Sequence, residues 1–146
     1  MTARWLGLRL PIGTFDLDER AIADLTFQCV DEGTGSDTLT LNGAGHSLDL
    51  TSASNLKITS IEKIDITGSG ANTLTLKLAD VLDISDTISS SKTRLLVDGG
   101  ADDTVVASDS WTPGSTTTAN SNTYNIYTSD NAQLLIDTDI GTQTIT

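Results

Sequence analysis

Cysteine occurs once in this chain, at Cys29, so no internal disulfide can form and the chain stands apart from small secreted domains held by such staples. Histidine also occurs once. A Ser-His-Asp arrangement would have to use His46, in the turn Gly43-Ala44-Gly45-His46, where an exposed residue is the expectation. One histidine and one distant cysteine make no zinc site without several carboxylates. With two Trp, two Tyr and two Phe, no aromatic-lined cleft is indicated, and Trp111, Tyr124 and Tyr127 are expected to pack rather than to stack on sugars. Glycoside cleavage by paired carboxylates finds no marked pair. No catalytic residue is assigned, and an enzyme is not expected.

Positive charge is scarce as well. Eight Lys and Arg face 20 Asp and Glu, and the net charge of -12 would be repelled by nucleic acid or by an anionic membrane surface. Divalent cations are compatible with it. Only Glu19, Glu32 and Glu62 are glutamates, and a bias to aspartate suits turns and calcium sites better than helices. Long apolar runs are missing: the opening stretch to Gly13 is interrupted by Arg9 and Pro11, too short and broken for a secretory signal or a membrane span. No membrane insertion is expected. The lack of such a signal fits a cytosolic protein, an internal piece of a longer chain, or a substrate of type I export.

What the chain has in plenty is glycine turns that feed alternating strands. Gly33-Thr34-Gly35-Ser36-Asp37-Thr38-Leu39-Thr40-Leu41 is written again as Gly68-Ser69-Gly70-Ala71-Asn72-Thr73-Leu74-Thr75-Leu76, 35 residues later (33 to 68). A looser third copy runs from Gly99 through Asp102 and Asp103 to Val106. A fixed interval predicts stacked units, each burying its apolar face on its neighbours. Within it Leu39, Leu48, Ile58, Ile66, Leu74 and Leu82 recur in a drifting nonapeptide rhythm and are expected to point inward.

Residues 32–40 resemble the RTX calcium-binding nonapeptide, with Gly33, Gly35, Asp37 and Leu39 matching and Glu32 in place of the first glycine. The second copy departs further, with Thr67 for that glycine and Asn72 for the aspartate. More broadly, Ile61 to Gly68, Ala79 to Ser85 and Leu96 to Gly99 resemble modules of very large bacterial surface adhesins exported by type I secretion. The resemblance covers residues 32–140. It implies an extracellular or cell-surface structural module, neighbouring modules as partners, and calcium as the ion that would stabilise it. It gives Asp37 the side-chain role and Gly33 and Gly35 the backbone roles. The next ligand on that side, about 18 residues on in a roll of two nonapeptides per coil, would be the uncharged Asn55, so a complete stack of calcium sites is not expected. Asp98, Asp102 and Asp103 form a second acidic turn that could hold one ion; the competing reading is that these acids cap turns. Two other functions stay open: a C-terminal calcium-binding and export domain of a type I secreted hydrolase, and a carbohydrate-binding β-domain.

The expected fold is all-β, a parallel β-solenoid or β-roll-like body over residues 32–107 with an antiparallel capping hairpin behind it. Residues 1–31 are read as an N-terminal capping segment and 32–146 as the repeat-built domain. Between 16 and 30 the residues Leu17, Ala21, Leu25 and Cys29 fit a helix face, while 25–30 also fits a strand. Leu78 to Ser85 predicts a short helical turn with Leu78, Val81 and Leu82 on one face. Residues 89–92 read as a surface loop and the polar tract 115–123 as a mobile hairpin tip. A second hairpin is expected around a three-residue loop, Ser129-Asp130-Asn131.

Overall fold

A computed structural model of the chain describes residues 14–17, 29–31, 38–41, 43–51, 57–85 and 87–146. In chain order these form β1 (Thr14–Leu17), β2 (Cys29–Asp31), β3 (Thr38–Leu41), β4 (Ser47–Asp49), β5 (Lys57–Thr59), β6 (Lys63–Asp65) and β7 (Thr73–Lys77). A helix, α1 (Leu78–Ile84), follows, and then β8 (Ile88–Ser89), β9 (Lys92–Asp98) and β10 (Thr104–Ser108). The chain continues through β11 (Thr112–Ala119), β12 (Asn122–Ser129), β13 (Ala132–Asp137) and β14 (Thr142–Ile145). Among the described residues the protein is all-β apart from that one short helix.

Three sheets share these strands. The first runs β1-β3-β6-β9-β13-β12-β11, parallel as far as β13 and antiparallel beyond it, with β8 antiparallel to β9. The second, β14-β10-β7-β4, is wholly parallel. The third pairs β2 with β5, also in parallel. Thus β1 and β2, both within residues 1–31, pair directly with β3 and β5. The rest of the helix-or-strand stretch between them lies outside the described residues.

Alternation sets the core. In the first sheet Leu39, Ile64, Val97 and Ile136 occupy one register line, and each is 0% exposed. In the second, Leu48, Leu74 and Val105 do the same. These aliphatics, with Ile66, belong to a single cluster, and each contributes roughly 1.5–3 kcal/mol by leaving water. The fourth position of the second line is polar. Gln143 stands there, its side-chain oxygen accepting from Asn125 Nδ2 and Tyr127 O–H, both at 3.2 Å, and its Nε2 donating to the Asp137 carbonyl at 3.0 Å. Since β14 is the last strand of its sheet, β12 closes the end of the core with groups that need no further apolar partner.

The repeat is one of composition, and its register differs from the 35-residue interval. That interval would overlay Leu39 on Leu74, yet Leu39 lies beside Ile64, and Leu74 beside Leu48. Both steps between spatial neighbours are shorter than the interval between the two phrases. The phrases look alike because each leads from a glycine turn into a strand, but they lead into different sheets. The structural counterpart of 69–76 is 43–50. Leu82 departs from the inward rhythm: it sits on α1 at 38% exposure while Val81 and Ile84 are buried. The helix itself forms as expected, with Asp80 Oδ2 accepting from the Lys77 N–H at 2.9 Å to satisfy a free donor at the helix start. The side chain of Ile58 lies outside the described residues.

The loops are tighter than their composition suggests. Ser90 and Ser91 (φ 53° and 66°) join β8 to β9, and Asn120 and Ser121 (φ 51° and 70°) join β11 to β12. Paired positive φ values match the right-handed twist of hairpin strands. The tract 115–123 is therefore strand and two-residue turn, its Thr residues paired across the hairpin. The β12–β13 hairpin forms as expected, but Ser129 pairs with Ala132, which leaves a loop of Asp130 and Asn131 alone.

Replacing Leu74 by Ala removes a fully buried side chain between Leu48 and Val105 and is expected to cost about 2–5 kcal/mol. Urea denaturation measures it, and an unchanged midpoint would contradict the placement of Leu74.

Candidate functional site

Two polar constellations stand out, one inside the corner between the first two sheets and one on the outer face of the first sheet. The corner holds His46, Asn72 and Asp103, which are 8%, 1% and 2% exposed. The Asn72 side-chain oxygen accepts from the His46 N–H at 2.9 Å, and Asp103 Oδ1 accepts from the Asn72 N–H at 2.9 Å. The Asn72 Nδ2 donates to the carbonyls of Gly43 (3.0 Å) and Ile66 (2.9 Å), while Asp103 Oδ2 accepts from the Gly100 N–H at 2.7 Å. Backbone bonds run alongside: Thr73 N–H to the His46 carbonyl, Thr104 N–H to that of Asn72 and Thr142 N–H to that of Asp103. The turns approach so closely that a Cβ on Gly68 (φ 47°) would lie 2.0 Å from the Gly43 carbonyl oxygen.

This corner explains three sequence features. His46 is buried rather than exposed, because its turn is packed under the next one. Asn72, read as a departure from a calcium motif, is the residue whose side-chain and backbone bonds join three successive turns. Asp103 takes the same position one turn later. Aligning 42–50, 68–76 and 99–107 would have revealed this line of His, Asn and Asp; the longer interval hid it.

The remaining candidate ligands are dispersed. Asp98 accepts from the Tyr124 O–H at 2.5 Å and pairs with Lys63 Nζ at 2.9 Å, Asp102 is exposed, and Asp37, Gly33 and Gly35 lie outside the described residues. The bonds of Asp98 and Asp103 give both carboxylates a place in the fold that needs no ion. Among the described residues, no three His, Cys, Asp or Glu side chains converge as a metal would require. Trp111 and Tyr124 are buried, the first donating its indole N–H to the Ser108 carbonyl at 2.8 Å, so both act in packing.

The outer face of the first sheet carries the second constellation. Leu135, Asp98, Asp137 and Tyr124 point away from the line of Val97 and Ile136, yet all four are buried. Beside them a cleft of about 410 Å³ is lined by Thr38, Glu62, Lys63, Arg94, Leu96 and, from the hairpin turn, Asn120. The β11–β12 hairpin therefore arches across this face. Its register shifts between Pro113 and Thr116, a bulge of the kind that bends a strand pair. Under it, burial pushes the Tyr124 hydroxyl well above the ordinary tyrosine range, reinforced by its bond to Asp98. Burial also raises Asp137, against the lowering effect of the Asp139 N–H. In chemical terms the cleft offers two cations, a carboxylate, an amide and the hydroxyls of Thr38 and Thr87, and it lies next to an ordered Lys63-Asp98-Tyr124 network.

Comparison with protein families matches none, and neither a curated protein nor a solved structure matches the chain. Among the described residues no helix is long and apolar enough to cross a membrane.

Two outcomes test these networks. Asn72→Ala strands the buried His46 N–H and the Ile66 carbonyl, while the Gly43 carbonyl keeps the Ser69 N–H, and at roughly 1–3 kcal/mol for each buried unsatisfied group it should lower the denaturation midpoint by more than the loss of a single bond would. For Asp137, a raised folded-state pKa means that the fold binds the proton more tightly than the unfolded chain does. Its contribution therefore declines as pH rises from the ordinary aspartate value of 3.8 through the raised one. Asp137→Asn removes that dependence, so wild type should gain stability on the variant as pH is lowered from 7 toward 4 in parallel denaturation curves. A constant difference would contradict the direction of the shift.

Proposed function

We propose that the chain is a parallel β-solenoid whose C-terminal end is closed by the antiparallel β11–β12 hairpin, and that it serves as a non-enzymatic structural module of a secreted or cell-surface bacterial adhesin. The observation that carries this reading is the registered stacking of aliphatic lines across the parallel strands of two sheets, closed at one end by Gln143, Asn125 and Tyr127. Stacked units of this kind form a stiff body with its stability distributed along its length, which is what a spacer under load requires. The RTX-like stretch places calcium, in this reading, at Gly33, Gly35 and Asp37, with type I secretion as the export route. A second reading draws on the closed end: a C-terminal calcium-binding and export domain of a type I secreted hydrolase would also terminate its stack.

Calorimetry with saturating calcium and then with chelator tests the ion. A higher melting temperature with calcium is expected, and no shift would leave a scaffold held by apolar stacking alone. Antibody labelling of intact producing cells and of their medium tests location; retention in the cytosol would overturn the adhesin reading.

A further inference from the structure

The cleft under the hairpin turn is unusual for this protein. Of its eight Lys and Arg, two line this one space in a chain of net charge -12. Lys63 is neutralised by Asp98 at 2.9 Å, which leaves the Arg94 guanidinium as the other positive group lining the cleft. Arg94 is held in place by its backbone: its N–H donates to the Thr87 carbonyl at 2.9 Å and its carbonyl accepts from Ser85 Oγ at 2.6 Å. Its Nη1 makes a long bond of 3.4 Å to Ser89 Oγ. Its Nε–H is buried and has no acceptor among the described residues. A buried donor of a charged group without an acceptor calls for explanation, and a planar guanidinium with that edge unused matches a carboxylate in two-point contact.

We propose that this cleft binds a carboxylated sugar unit of the hexuronic type, its carboxylate on Arg94 and its ring hydroxyls on Glu62, Thr38 and Asn120. Leu96 gives the ring an apolar floor, and the volume of about 410 Å³ falls within the usual range of small-molecule sites. One open guanidinium edge in a cleft also lined by the Glu62 carboxylate favours one negative charge over two, which disfavours phosphate. Hydroxyls suit the Glu62 carboxylate, which accepts, and the Asn120 amide, which donates and accepts. A neutral hexose offers Arg94 only uncharged hydroxyl acceptors, which make weaker bonds than a carboxylate pair. The inference extends beyond the structural reading above and does not depend on it, since the cleft would take this ligand whether or not the chain belongs to an adhesin.

Isothermal titration of the full chain with glucuronate, glucose and inorganic phosphate tests it. Glucuronate is expected to bind at least tenfold more tightly than glucose and to resist competition by phosphate. Arg94→Lys keeps the charge and loses the fork, and should weaken glucuronate at least fivefold with an unchanged melting curve. Asn120→Gly, which retains the left-handed turn, should weaken it a few fold and serves if the arginine variant fails to fold. Equal binding of glucose, displacement by phosphate, indifference to both substitutions, or no binding of glucuronate would each overturn the proposal.

Discussion

The side-chain amide of Asn72 is the constraint on which the corner between the two main sheets depends. A parallel strand pair specifies spacing but does little to specify where the chain must turn from one sheet to the next. Asn72 answers that by bonding back to the turn before it and, through its N–H, forward to Asp103 in the turn after it. Both ends of the amide are engaged inside the protein, out of water, where each bond is worth more than at the surface. Glycine at position 68 is required by the same closeness, because any Cβ there would meet the preceding turn.

Around that corner the aliphatic lines do the bulk of the stabilising, with Leu, Ile and Val of similar size alternating with Thr, Asp and Lys. The chain then meets the problem every stack of strands has, an exposed last layer. It solves it in two ways. In the first sheet the direction of pairing reverses, so that β12 and β11 cover the edge of β13. In the second, Gln143 takes the fourth place in the apolar line and is engaged by the same β12. One strand thus serves both sheets, which explains why Tyr124, Asn125 and Tyr127 all have side-chain partners outside their own strand.

Much of this was legible in the residues. The all-β class, the alternation that buries Leu39, Leu48, Ile66 and Leu74, the short helix at Leu78–Ile84 and the β12–β13 hairpin follow from periodicity and turn chemistry. The register was not, because the likeness between 33–41 and 68–76 reflects a common local grammar of glycine turn and Thr-Leu strand rather than spatial equivalence. The outer-face cleft was also hidden. Arg94 and Lys63 come together only because β6 and β9 are sheet neighbours, and Asn120 reaches them only because the hairpin bends, a long-range outcome that no local pattern encodes. Tyr124 and Asp98, far apart in the chain, meet for the same reason.

Successive members of the first register line, Leu39, Ile64, Val97 and Ile136, stand farther apart along the chain at each step. Each passage nevertheless advances the first sheet by one strand spacing, about 4.8 Å. Surplus residues are shed sideways, as α1 in one passage and as the β11–β12 hairpin in another, and the layered interior does not register them. Such an architecture accepts cargo at its flanks, and the Asn120–Ser121 apex is where a foreign peptide could be grafted without disturbing the layers beneath.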